Sequence, residues 1–221
     1  MTNTIKISPY DKCVSIKEME SIFQSGGAVY ETIFRRLEFN QVISYAKGTG
    51  IDIGCGLNKV HSSAIGIDSQ LSDKDFGYPF GANIRCEVND EYLPLPWFSD
   101  QSLDFVFASH SLEHFRDPQK WIAEVMRVLK PHAYLILILP DMNFYPKTGS
   151  KEANQDHQID YYPNMLEKVV NSSNRWKTIQ LDTLHKTLQY EVLTERDRQI
   201  AAHYGHKSLN FSFEGVFQKN A

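Results

Sequence analysis

The chain is poor in the residues that mark several common kinds of protein. Its 221 residues hold three cysteines, Cys13, Cys55 and Cys86. That odd number, at those spacings, suits neither a disulfide framework nor a zinc cluster. No apolar run approaches the length of a membrane span; Tyr134 to Leu139 is strand-sized. No charged leader with an apolar core opens the sequence, so no secretory signal is expected and a reducing cytoplasm is the expected location. A net charge of −4 excludes the broad basic field that draws in nucleic acid, and Arg35-Arg36 and Arg196/Arg198 read as solvated helix faces. Repeats and low-complexity tracts are absent. So is the third glycine of G-x-G-x-x-G, where Lys59 stands, and so is the Gly-Lys-Ser/Thr of a P-loop. Nicotinamide, flavin and P-loop nucleotide binding are therefore poorly supported.

What is present begins at Gly50-Ile51-Asp52-Ile53-Gly54-Cys55-Gly56, followed by Ala64-Ile65-Gly66-Ile67-Asp68. An apolar strand runs into a tight glycine turn, and a second apolar strand ends in a carboxylate. Gly54 and Gly56 let the backbone bend sharply and approach a ligand closely. A carboxylate closing the neighbouring parallel strand is placed to accept both hydroxyls of a ribose. Together they predict a pocket for an adenosine-containing cofactor. The competing reading is a buried strand and turn with no ligand.

Composition is ordinary for a soluble globular protein, 42% hydrophobic and 23% charged. A leader, residues 1–14, precedes helical spacing over 17–47. Strands are predicted at Gly50–Gly54, Ala64–Asp68, Ile84–Val88, Ser102–Ala108 and Tyr134–Leu139. The prolines of Leu93-Pro94-Leu95-Pro96-Trp97 exclude a central strand there. Asp117-Pro118 reads as an N-cap and first helical residue. Trp121, Ile122, Val125, Met126 and Leu129 form the stripe of the helix that follows, and Lys130-Pro131 stops it. Met165–Val170 looks helical, and Trp176–Leu181 and Leu209–Phe217 read as two last strands. Strands apolar on both faces, alternating with helices, predict an α/β, doubly wound, mostly parallel sheet with ligands beyond the strands' carboxyl ends. Gly54–Gly56, Asp68, Asn89-Asp90, Ser109–His114 and Asp141 all fall at those ends.

At this point the sequence resembles class I S-adenosylmethionine-dependent methyltransferases, in particular the type 11 methyltransferase domain. Residues 51–56 look like the first motif. Leu103-Asp104-Phe105-Val106-Phe107-Ala108-Ser109-His110-Ser111-Leu112-Glu113-His114-Phe115 looks like the motif around strand four. Glu124-Val125-Met126-Arg127-Val128-Leu129-Lys130-Pro131 resembles the segment that usually continues with two glycines, here His132-Ala133. The short link from Gly56 to Ala64, which leaves no room for a full helix, is similar to a bacterial subgroup associated with surface-glycan synthesis. The resemblance implies a seven-stranded Rossmann-like sheet in a single domain. Residues 1–47 would form an N-terminal helical segment, 48–141 the cofactor-binding core, and 142–221 an acceptor-side cap with the final strands. It implies S-adenosyl-L-methionine as cofactor, with Gly54, Cys55 and Gly56 beneath its methionine and ribose and Asp52 near its amino end. Asp68 would bind the ribose hydroxyls, Asn89 or Asp90 the adenine, and Ser109 and His110 would line the methionine side. The acceptor would be a small molecule or glycan precursor, methylated on oxygen; methylation of nitrogen or carbon, or a silent nucleoside-binding module, are the alternatives.

Methyl transfer from a sulfonium is a displacement with an activated donor, so alignment and exclusion of water are the main tasks. A base is needed only where the acceptor must lose a proton. His157 and His110 are the catalytic candidates. His157 lies in Asp156-His157-Gln158-Ile159-Asp160-Tyr161-Tyr162-Pro163, where Asp156 or Asp160 could orient the ring. His110-Ser111-Leu112-Glu113-His114 also matches H-x-x-E-H, an inverted zinc-protease string. A zinc site needs a third ligand and a supporting helix, neither visible here, so no metal is expected. Tyr145, Tyr161, Tyr162 and Trp176 either wall an acceptor or pack the cap onto the sheet.

Overall fold

The computed structural model describes residues 42–56, 59–61, 63–69, 82–85, 95–143, 145–151, 153–183 and 212–221. The predicted helices of 17–47, apart from a closing 3-10 turn at Ile43–Tyr45, and the candidates Asn89 and Asp90 lie outside them.

Among the described residues seven strands form one sheet: β1 (Gly50–Ile53), β2 (Ile65–Asp68), β3 (Ile84–Arg85), β4 (Leu103–Ser109), β5 (Leu129–Pro140), β6 (Trp176–Thr183) and β7 (Ser212–Lys219). Their order is β3-β2-β1-β4-β5-β7-β6. The first five are mutually parallel, whereas β7 runs antiparallel to both β5 and β6. The sheet is therefore mixed, with one reversed strand inserted between β5 and β6.

The apolar runs of β4 and β5 follow from burial on both faces. Val106, Ala108, Leu135, Leu137 and Leu139 join the cluster under the helices, while Phe105, Phe107, Ile136 and Ile138 face the opposite side with Val42, Ala46, Val60 and Ala64. Helix α1 (Pro118–Val128) starts as its sequence requires: Asp117 caps it by accepting the Lys120 N–H at 3.0 Å, with Pro118 in the first turn. Trp121, Ile122 and Val125 pack on the first face beside Leu166 and Val170 of α2 (Pro163–Val170). Leu95–Trp97, which contains Pro96, is a 3-10 turn and not a strand. Lys219, at the end of β7, is buried and donates to the carbonyls of Met126 (2.8 Å) and Leu129 (2.6 Å), closing the C-terminal end of α1.

Candidate functional site

The glycine turn leaves β1 and hooks onto β2. The N–H groups of Gly54 and Cys55 donate to the Ile67 carbonyl at 2.8 and 3.3 Å, and the Gly56 N–H donates to Asp68 Oδ2 at 2.9 Å. Both glycines are left-handed, φ +69° at Gly54 and +52° at Gly56. A Cβ at Gly54 would overlap Ser111 Oγ, which donates to the Ile53 carbonyl at 3.0 Å. The turn thus needs glycine for its dihedral angles and for its contact with the β4 loop. Among the described residues of the link to Ala64 none is helical.

Asp52, buried in β1, accepts the Val60 N–H through Oδ2 at 2.7 Å, tying the far end of the loop back to the strand. Lys59, where the third dinucleotide glycine would stand, is also buried and donates to Asn83 Oδ1 at 2.8 Å; the Gly66 N–H meets the same oxygen at 2.9 Å. This Lys59–Asn83 brace between the loop and the approach to β3 was not visible in the sequence.

Beyond β4 the chain turns sharply. His110 takes φ +51°, its N–H donates to the Ile138 carbonyl at 2.9 Å, and its Nε2 is hydrogen-bonded to Ser212 Oγ at 3.0 Å. Ser109 is buried. A 3-10 turn, Leu112–His114, carries Glu113 into the interior, fully buried. Glu113 Oε1 lies 3.6 Å from His110 Nδ1 and 3.7 Å from His157 Nε2. His157 is itself buried, its ring stacked on Tyr145 and edge-on to His114. Burial, reinforced by the neighbouring His114 and His110, lowers the His157 pKa to about 4. The ring is neutral at physiological pH.

The structure therefore brings His110 and His157 to one carboxylate, Glu113, which sequence reasoning met only as a letter in H-x-x-E-H. Of the two acids expected beside His157, Asp160 raises its pKa by its charge, against the larger effect of burial. The Asp156 side chain is exposed, and Asp160 Oδ1 is occupied by the backbone N–H and hydroxyl of Thr148. Of the four aromatics, Tyr161 and Trp176 are core residues, and burial pushes the Tyr161 phenol up from its ordinary pKa. Tyr145 alone of the four stacks on His157.

Two donor and acceptor sets thus sit side by side at the strand ends. The left-handed glycine turn, with no side chain at Gly54 or Gly56, lies beside the Asp68 carboxylate closing the next strand, the arrangement that an adenosine-bearing cofactor requires. The residues present fit the group.

Residues 51–137 match the family model described as a methyltransferase domain. An uncharacterized methyltransferase of Bacillus subtilis, YcgJ, is 22% identical over 94% of this chain and 87% of its own length. A sterol 4-C-methyltransferase of Caenorhabditis elegans is 23% identical over 62% of this chain, and the aligned part spans only 47% of that relative. A crystallised S-adenosylmethionine-dependent methyltransferase of Archaeoglobus fulgidus superposes with a TM-score of 0.55 at 18% identity, covering 90% of this chain and 98% of its own. Strand order, the glycine turn and the domain match over residues 51–137 agree, and together they support an S-adenosylmethionine-dependent methyltransferase.

Proposed function

We propose that the protein methylates a hydroxyl oxygen of a small molecule or glycan precursor, with residues 48–141 holding the donor and 142–221 covering the acceptor. The observation that carries this reading is the buried Glu113 and His157 with the partly exposed His110 against the same carboxylate, beside the glycine turn. A hydroxyl must lose its proton as it is methylated, and a neutral imidazole backed by a carboxylate can accept one. The similarity of the shortened Gly56–Ala64 link to the surface-glycan subgroup supports the choice of acceptor class.

S-adenosylmethionine, when bound, supplies an activated methyl group. Gly54, Cys55 and Gly56 hold its methionine and ribose side, with Asp52 acting through the loop that it ties to Val60. Asp68 accepts from the ribose hydroxyls, Asn89 or Asp90 meets the adenine, and Ser109 and His110 line the side facing the acceptor. His157 accepts the acceptor's proton, Glu113 stabilises the imidazolium that forms, and Tyr145 holds the ring in plane. The buried floor excludes water.

The test is methyl incorporation from isotopically labelled S-adenosylmethionine into cell extract, with products identified by mass and the methylated atom by fragmentation. An O-methyl product is expected. An N- or C-methyl product refutes the acceptor assignment, and no product at all refutes the enzyme reading in favour of a nucleoside-binding module. His157→Ala should keep affinity for S-adenosylhomocysteine while turnover falls by about 10²–10⁴-fold.

A further inference from the structure

The turn Leu112–His114 and the segment around His157 are held together by several bonds. The Glu113 carbonyl accepts the N–H groups of Gln158 and Ile159 at 2.8 and 3.2 Å, and Arg116 Nε donates to Gln158 Oε1 at 3.1 Å. His114 Nδ1 meets the Asp156 carbonyl at 3.2 Å. A carbonyl only accepts, so that nitrogen carries the proton and the lone pair of His114 resides on Nε2. A backbone carbonyl that fixes tautomer and ring direction is the usual support of a metal-binding histidine.

Glu113, His114 and His157 each place one ligand atom within 4.8 Å of the other two. The Glu113 Oε1 to His157 Nε2 separation, 3.7 Å, is long for a hydrogen bond. It is close to the spacing of two atoms bound to one ion, since ligands about 2.1 Å from a tetrahedral centre lie about 3.4 Å apart. A buried carboxylate also carries a desolvation cost that a cation beside it offsets. Two imidazoles and a carboxylate suit a borderline ion, and three protein ligands leave the fourth position of a tetrahedron to an oxygen donor.

We infer that Glu113, His114 and His157 form a binding site for a divalent transition-metal ion of the zinc type, with His110 Nδ1 3.6 Å from Glu113 Oε1. The third ligand is His157, which arrives from a separate segment and so was not legible in H-x-x-E-H. The ligands sit on a 3-10 turn and a loop, not on the helix of the zinc proteases, so only the residue types are shared. With the ion bound, the His157 lone pair would be held by the metal, and the proton-accepting role proposed above for His157 would pass to His110. That last assignment rests on the methyltransferase reading; the metal site does not.

The experiment is read without methyl transfer. Chelator-treated full-length protein is titrated by calorimetry with Zn²⁺ and followed by visible absorption with Co²⁺, whose intense bands report tetrahedral coordination. One equivalent of each ion is expected. Affinity should drop by more than about 100-fold in His114→Ala and in His157→Ala, a larger loss than second-sphere changes cause. His132→Asn, at an exposed position remote from the cluster, should bind as wild type. Circular dichroism verifies that each variant is folded, and His114, only half-buried, is the variant expected to fold without difficulty. Failure of the wild type to bind either ion overturns the inference, as does undiminished affinity in a folded His114→Ala. Metal binding without any methylated product would uphold the site and refute the acceptor chemistry instead.

Discussion

Substituting Gly54 by alanine tests the most constrained point of the cofactor turn. The new side chain meets two separate obstacles. An L-residue held at φ +69° gives up about 1–2 kcal/mol. Its Cβ also lands on Ser111 Oγ, the end of a short side chain that can rotate away only by abandoning the Ile53 carbonyl. Leaving that buried acceptor unsatisfied costs about 1–3 kcal/mol, while the stiffer unfolded chain returns about 0.5–1. Gly54→Ala should therefore destabilise by about 2–4 kcal/mol. The two obstacles separate in a double-mutant cycle with Ser111→Ala. That variant loses the hydroxyl and its bond, but leaves room for the new methyl group. The double variant should be more stable than the summed single effects by about 1 kcal/mol or more, because the loss of the Ser111–Ile53 bond enters both single variants but the double only once. Urea denaturation of the four proteins supplies the numbers. Strictly additive costs, or a Gly54→Ala penalty below about 0.5 kcal/mol, would refute the geometry assigned to the turn.

Two further outcomes follow from the site. Asp68→Ala removes the acceptor of the Gly56 N–H together with the proposed ribose contacts, so affinity for S-adenosylhomocysteine should fall by well over tenfold by calorimetry, at about 1.5–3 kcal/mol for each charge-assisted bond lost; unchanged affinity would place the ribose elsewhere. His157, neutral when folded with a pKa of about 4, binds its proton more readily in the unfolded chain, so it causes no loss above pH ~6.5 and a growing loss as pH falls toward 4. In chelator, the stability of wild type relative to His157→Gln should decline by up to about 3 kcal/mol between pH 7 and 4; a constant difference would mean that the ring is solvated.

Much of the sheet could be read from local signals because the strands are apolar in compact runs and Asp117-Pro118 punctuates the chain. β1, β2, β4, β5, α1 and α2 fall within a few residues of their predicted limits, although β5 starts at Leu129 and not Tyr134. The reversal of β7 was not legible: apolarity encodes that a strand is buried, not which way it runs between its neighbours. The glycine turn announced itself because strained dihedral angles demand particular residues. The cluster around Glu113 did not, because Glu113 acquires its meaning from side chains on another segment. His114 and the Asp156 carbonyl it meets are 42 residues apart, and no periodicity encodes such a pairing. Of the two acids beside His157 in sequence, Asp160 acts on the ring by its charge, against the larger effect of burial, while the Asp156 side chain is exposed.

The insertion of β7 between β5 and β6 has a consequence for the order of events as the chain emerges from the ribosome. β5 carries a row of apolar side chains over Tyr134–Leu139, and its partner on that edge is Ser212–Lys219. β6 enters the sheet through the same strand. Until the last strand is synthesised, β5 therefore presents an open hydrogen-bonding edge and β6 has no place in the sheet. Such an edge is a template for pairing with another nascent chain. The long wait for β7 makes exchange of that strand between two copies a hazard that this topology carries.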